Sequence, residues 1–367
     1  MRCSLGGLLA ALAVSLLFAA GAGAQNVLHT GTYLTTQLSY TEVPIAAAQA
    51  VDASNSFGLA RVGCGLESWG HGNSGALGDG RRKSSETPRQ VVLPEGVCVA
   101  SEGEAENAGF AIDTTGQLWG WGAAKWGVLC GEPQAAVPEM IHGVSTAIQV
   151  RGGGDHALIV LADGTLLACG ENQEGQLGLG KDVKSAQAPT AVPGVDEVSE
   201  ATAGSDFSCL LKADGSVWCA GRDKRGQAGG HAKNVYKFHR VALPGAASEV
   251  YCGGDVPANG SCVAMVEGVP YGWGDDEEGQ LGDGGAAGRG TGTPVLASEL
   301  APLGIVEIAT AGVATQARTE EGLVYAVGGG EGGALGTGSE ATQLFPVPVA
   351  AEVSELSGTA KNFLALG

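Results

Sequence analysis

Several stretches of this 367-residue chain carry residue types and spacings that could do chemistry. Gly70-His71-Gly72-Asn73-Ser74-Gly75 spells the G-x-G-x-x-G of a dinucleotide-binding turn, whose glycines let backbone approach a pyrophosphate at a helix N-terminus. Gly175 to Lys181 approaches a phosphate-cradling Walker A loop, but Asp182 stands where Ser or Thr must hold magnesium. Asp275-Asp276-Glu277-Glu278 offers consecutive carboxylates to a calcium ion, although EF-hand spacing is absent. The histidines form neither H-x-H nor H-E-x-x-H, and no G-x-S-x-G nucleophile elbow occurs.

The elements around these stretches decide between the readings. The first one recurs: units begin at Trp69, Trp121, Cys169, Ala220, Trp273 and Val327, separated by 52, 48, 51, 53 and 54 residues. Its outer glycine pair recurs in every unit, whereas Gly72 gives way to Asn172, Asp223 and Asp276. A cofactor loop occurs once and opens a helix, so a motif repeated inside a strand pattern excludes it. The Walker-like stretch is another copy of the same unit. The acidic run reads as a solvated loop, and no cofactor or metal is expected.

Five residues before the motif start stands a glycine in five units, Gly116, Gly164, Gly215, Gly268 and Gly322, between two short apolar runs that read as a tight hairpin. Trp119, Trp218, Tyr271 and Tyr325 precede the motif residue by two, which places them on its sheet face. Each unit closes on a Pro-led segment such as Thr87-Pro88 or Thr293-Pro294, suited to an edge strand. Four short strands in about fifty residues make one propeller blade. The chain ends on Lys361 to Gly367, which matches the strand before a hairpin turn, and Gly31-Thr32-Tyr33-Leu34 matches Gly75-Ala76-Leu77-Gly78 weakly. The expectation is an all-β, seven-bladed β-propeller whose last blade is shared between the two termini, which leaves no open edge.

Residues 1–24 combine Arg2, an apolar stretch and Ala22-Gly23-Ala24, the pattern of a secretory signal peptide, so a single propeller domain is expected over 25–367. The protein is then secreted or extracytoplasmic, with no stable membrane anchor after cleavage. Eight cysteines remain, an even number that fits disulfides in an oxidising compartment. Cys209 and Cys219 flank the Asp214-Gly215 turn and should pair; Cys252 and Cys262 are a second candidate pair, while Cys64, Cys98, Cys130 and Cys169 cannot be paired from sequence. Asn259 is a glycosylation acceptor if the cell glycosylates. A net charge of -19 argues against a nucleic-acid partner.

With the repeat laid out, the chain resembles the regulator of chromosome condensation repeat family, whose blades read H-S-x-A-L, then D-G-x-V-x-x-W-G-x-N-x-x-G-Q-L-G. It is similar too to beta-lactamase inhibitory protein II, a shorter secreted propeller. The resemblance implies the fold. The family histidine survives as His156, a structural blade contact on this reading, and the equivalent positions hold Ser56, Ala108, Phe207, Gly260 and Ala314.

Between the motif glycines the segments vary and emerge on one face of the ring, as in binding proteins built on rigid scaffolds. The candidate partner-binding residues are Lys125, Trp126, Arg222, Lys224, Arg225, Asp275, Asp276, Glu277 and Glu278. The expected function is a monomeric, non-enzymatic scaffold for a protein partner. The alternatives are inhibition of an extracellular enzyme or nucleotide-exchange-type regulation, the latter disfavoured by export. An enzyme or lectin using the central channel would need acid, base or metal groups at one depth in several blades, and no such cluster is apparent in the sequence.

Overall fold

The computed structural model describes residues 26–230, 233–254, 260–285, 290–359 and 362–367; the leader expected over 1–24 and Asn259 lie outside them. Short β-prone runs interrupted by glycine turns fold into seven four-stranded antiparallel sheets. From the axis outward, blade 2 is Ala50–Ala53, Phe57–Val62, Gly65–Gly70 and Ser85–Gln90. Blade 3 is Val99–Ala105, Ala108–Asp113, Leu118–Gly122 and Ala135–Met140; blade 4 is Ala147–Gly152, His156–Leu161, Leu166–Glu171 and Ser185–Ala191. Blade 5 is Val198–Gly204, Phe207–Lys212, Val217–Gly221 and Val235–Arg240; blade 6 is Ala247–Gly253, Ser261–Val266, Val269–Gly274 and Thr291–Leu296. Blade 7 is Ile305–Thr310, Ala314–Thr319, Val324–Gly328 and Gln343–Ala350.

Blade 1 closes the ring from both ends of the chain: Glu355–Thr359 and Asn362–Leu366 supply its inner strands, Asn26–Thr32 and Thr36–Ala46 its outer ones. Val27 to Gly31 pair with Leu366 to Asn362 in antiparallel register. Phe363, Leu364 and Leu366 are wholly buried there, so the seam is a piece of core.

The register corrects two sequence alignments. Gly31 pairs with Asn362 as Gly70 pairs with Phe57, at φ +108° and +109°, so Gly31 is the first motif glycine of its blade and does not correspond to Gly75. Thr32 then pairs with Thr36, so blade 1 turns back at once and lacks the motif loop altogether. Likewise the positions equivalent to His156, which pairs with Gly170, are Phe57 and Ser261, not Ser56 and Gly260.

The hairpin glycines Gly116, Gly164, Gly215, Gly268 and Gly322 have φ between +76° and +84°, as the turns require. The core lies between blades, where Trp69 packs with Val27 and Leu364 of blade 1; within its own blade its ring covers Gly58, where a Cβ would stand 2.5 Å away, and Trp121 covers Gly109 in the same way. Cys209–Cys219 and Cys252–Cys262 are disulfides between directly opposed strand residues, with Cα atoms 4.1 Å apart in each. Cys64–Cys98 ties blade 2 to blade 3, and Cys130–Cys169 ties blade 3 to blade 4.

Candidate functional site

In blades 4, 5 and 6 the loops that follow the third strands use their own side chains to satisfy their backbone. Asn172, Asp223 and Asp276 each accept the N–H five residues on, from Leu177, Ala228 and Leu281, at 2.9, 2.9 and 3.1 Å. Gln176, Gln227 and Gln280 accept the N–H two residues back, from Glu174, Arg225 and Glu278. The segment between the glycines is therefore not uniformly variable, since in blades 4, 5 and 6 its second residue is a buried cap. Asp275 and Asp276 are buried as well, at 1% and 2% exposure, which corrects the solvated-loop reading of the acidic run: a side chain spent on a backbone N–H must turn inward. Glu277 and Glu278 remain near the surface, and Glu278 accepts from the Thr342 hydroxyl at 2.7 Å.

Three of the expected binding residues meet at one place. Lys125, Trp126 and Arg222 line a cavity of about 240 Å³ between the loops of blades 3, 4 and 5. Lys125 is ion-paired with Asp155, and Arg222 bridges Asp206 at 2.9 Å and Glu174 at 3.3 Å. Glu106 and Glu171 complete a wall in which carboxylates outnumber cations. Burial, reinforced by neighbouring carboxylates, raises Glu171 and Asp206 above the ordinary carboxylate range. Arg225 lies apart, paired with Glu277, and Lys224 is exposed.

Trp126 is the conspicuous member. It is 39% exposed beside the cavity, its carbonyl is held by the Gln187 side-chain amide at 2.8 Å, and its φ is +56°. The matching turn in blade 7 has Gly332 there, at φ +65°. A bulky L-residue in the left-handed region carries strain of about 1–3 kcal/mol. The strain is retained at the one loop position of the face where an indole stands over open space.

His156 is a blade contact: it is fully buried, its Nε2 lies 2.9 Å from the Ser208 hydroxyl, and burial pushes its pKa down to about 3. It is neutral and inaccessible, and not a proton shuttle.

The innermost strands correct a further expectation. Glu200, Glu249, Glu307 and Glu355 occupy one position of the inner strands of blades 5, 6, 7 and 1, so several blades do carry acids at one depth. They stitch blades together: Glu307 accepts the Leu356 N–H at 3.1 Å and Glu355 the Val51 N–H at 3.4 Å, as the Gln149 amide accepts that of Ala201 at 2.7 Å. Desolvation raises Glu200, Glu249 and Glu355 to about 7, 8 and 7. Further along, Arg151 of blade 4 reaches Asp52 of blade 2 at 3.0 Å and Tyr251 of blade 6 donates to the Gly358 carbonyl of blade 1 at 3.1 Å, so side chains from non-neighbouring blades cross the channel, and Ser357 of the adjacent blade 1 also donates to Asp52 at 3.1 Å. The repeated Ser-Glu of Ser199-Glu200, Ser248-Glu249 and Ser354-Glu355 was the available signal.

Comparison with known proteins agrees with this architecture. A model described as the regulator of chromosome condensation (RCC1) repeat matches residues 163–211, and a second of the same description matches 147–176 and 198–227. The chain is 27% identical over 320 residues to the ultraviolet-B receptor UVR8 of Arabidopsis thaliana, covering 85% of this chain and 71% of that one. It is 28% identical over 293 residues to the E3 ubiquitin-protein ligase HERC2 of Homo sapiens, covering 74% of this chain but only 6% of the relative's length. Among solved structures, human WBSCR16 superposes with TM-score 0.81 at 17% identity over 94% of this chain and 98% of that one. Prp20p of Saccharomyces cerevisiae, described with its binding to Gsp1p and histones, superposes with TM-score 0.80 at 18% identity over 95% and 92%.

Proposed function

The chain carries regulator of chromosome condensation (RCC1) repeats, and we propose that it is a binding propeller whose loop face takes a protein partner, with Trp126 as the anchor. The observation that carries the reading is the strained, half-exposed indole beside an open cavity. Aromatic anchors over pockets dominate interface energetics. The excess of carboxylates around it suits a basic side chain of the partner, which the indole face would also attract. The chain's net charge of -19 steers such a partner toward it. Four disulfides and the leader pattern support an extracytoplasmic setting for this encounter. The ligase activity named for HERC2 belongs to a protein of which the alignment covers 6%, and it is not carried over.

The test is quantitative capture with the mature chain, a Trp126→Ala variant and a Phe345→Ala control on the outer strand of blade 7, where Phe345 is 59% exposed. A partner held by the chain and by the control, and bound about 30-fold or more weakly by the loop variant, supports the reading. A partner indifferent to the loop variant refutes it.

A further inference from the structure

Six of the seven blade junctions are sealed by the same device. The second motif glycine of one blade docks against the outer strand of the next, closely enough at Gly75, Gly175, Gly226 and Gly333 that a Cβ would meet its backbone, and at Gly127 and Gly279 that it would meet a side chain. On Gly75 it would stand 2.8 Å from the Ala135 carbonyl oxygen, on Gly175 2.5 Å from that of Val235, and on Gly279 2.8 Å from the Leu344 side chain. Gly226 meets Gly292 and Gly333 meets the Gln37 carbonyl just as tightly, and Gly127 meets Gln187. Behind that glycine comes a buried apolar residue, such as Leu77, which packs with the next blade's Trp121. The intervening carbonyl, of Ala76, accepts the Trp121 indole N–H at 2.8 Å.

The seventh junction, between blades 1 and 2, has no such loop because the chain turns directly from Thr32 to Thr36. Ser85 pairs with Gly70 as Ala135 pairs with Gly122, so Ser85-Glu86 is the counterpart of the Ala135-Ala136 backbone on which Gly75 docks. There a cavity of about 300 Å³ opens, with Glu86 and Thr87 on one side, Thr41 and Val43 on the other, and Tyr33 and Trp69 lining it between them. Tyr33 stacks on His29 at 4.5 Å and meets Trp69 edge-on at 6.5 Å. It packs with Trp69 as Leu77 packs with Trp121, which leaves the place of the glycine and its carbonyl unfilled.

Two polar atoms in this cavity are stranded. Tyr33 is 5% exposed and Trp69 3%, and neither the Tyr33 hydroxyl nor the Trp69 Nε1 has a hydrogen-bond partner among the described residues. A buried donor left unsatisfied costs about 1–3 kcal/mol, so an occupant that supplies an acceptor recovers it. Trp273 Nε1 is also unpartnered, but its junction is closed by the loop carrying Gly226. The lining beside the two donors is uncharged: burial lowers the His29 pKa to about 4 and holds the Tyr33 hydroxyl protonated. Glu42 and Glu86 stand at the exposed mouth, so the charge lies at the rim and the floor with its two unmet donors suits a backbone carbonyl.

We propose that the open blade 1–blade 2 junction binds a glycine-containing turn of another polypeptide, which docks there as the chain's own turns dock at the other six junctions and offers a backbone carbonyl to Trp69. This site does not depend on the Trp126 loop face, and either stands if the other fails.

The probe is a cyclic peptide carrying residues 72–80 of this chain, GNSGALGDG, with a second peptide bearing Val in place of Gly75. The readout is the indole N–H resonances of the full chain, whose six tryptophans give resolvable signals, with Trp69 assigned through Trp69→Phe. Saturable displacement of the Trp69 signal is expected, absent with the Val peptide and absent in Thr87→Trp, a variant that fills the mouth at an exposed position. Trp69→Phe, which lacks the reporting indole and is followed by titration calorimetry instead, should weaken binding about tenfold. Should that variant fail to fold, Thr87→Trp alone carries the comparison. No saturable shift of Trp69 up to about 5 mM peptide overturns the proposal. So does a shift that the Val peptide or Thr87→Trp leaves unchanged.

Discussion

Replacing Trp126 by Gly and, separately, by Ala isolates the backbone strain at the candidate anchor. Both variants lose the indole, and with it the same partly buried surface, so that loss cancels between them. They differ in one Cβ at φ +56°. At an ordinary position Gly is less stable than Ala by about 0.5–1 kcal/mol because it has more freedom to lose on folding. In the left-handed region the order reverses, because the Cβ of an L-residue clashes with its carbonyl at a cost of about 1–2 kcal/mol. The glycine at the matching position of blade 7, Gly332 at φ +65°, shows the conformation that the turn requires. Trp126→Gly should therefore exceed Trp126→Ala by about 1 kcal/mol. Equilibrium urea unfolding, followed by far-UV circular dichroism with the slopes compared, measures the difference. An Ala variant equal to or more stable than the Gly variant refutes the strain argument, and with it the inference that the indole is kept at a structural cost.

Deleting residues 362–367 removes Phe363, Leu364 and Leu366, each worth about 1.5–3 kcal/mol when buried, a sum comparable to the about 5–15 kcal/mol that holds a domain together. The truncated chain should lose its cooperative thermal transition, and a melting temperature within a few degrees of the full chain would contradict the shared blade. Asp276→Ala strands the Leu281 N–H and should cost about 1–3 kcal/mol in denaturant unfolding, whereas Glu277→Ala should stay within about 0.5 kcal/mol. Equal effects would undo the distinction between cap and surface. Glu200, Glu249 and Glu355 titrate near 7, 8 and 7 in the folded chain but near the ordinary carboxylate value of about 4.3 when unfolded, so the folded state holds protons that the unfolded state has released. Their stabilisation is complete below the unfolded value and is lost as pH rises through 7–8, by at most about 1.4 kcal/mol per group per pH unit. The melting temperature should fall between pH 6 and 8.5, less steeply in Glu249→Gln; a flat or rising profile contradicts the buried belt.

The propeller was legible because its signals are periodic and local. The motif glycines recur every 48 to 54 residues and need positive φ, the hairpin glycines likewise, and Cys209 and Cys219 are symmetric about their turn. The site was legible only in outline. Lys125, Trp126 and Arg222 converge, but nothing in the spacing says that Lys125 and Arg222 are already paired with Asp155 and Asp206. Asp276 reads as solvated because a carboxylate in an acidic run is most simply exposed; only the loop's return to Leu281 gives it a buried partner. The open junction was hidden by the register of Gly31, since a missing loop leaves no residue to read.

Hydrogen exchange on the complex with a captured partner tests the central claim most directly. Protection gathered in the segments 123–126, 171–174 and 222–225, with the hairpin turns at Gly116, Gly164 and Gly215 at the other end of the strands unchanged, is the predicted result. Protection at those turns or on the outer strands, with the segments around Trp126 exchanging as in the free chain, would contradict it.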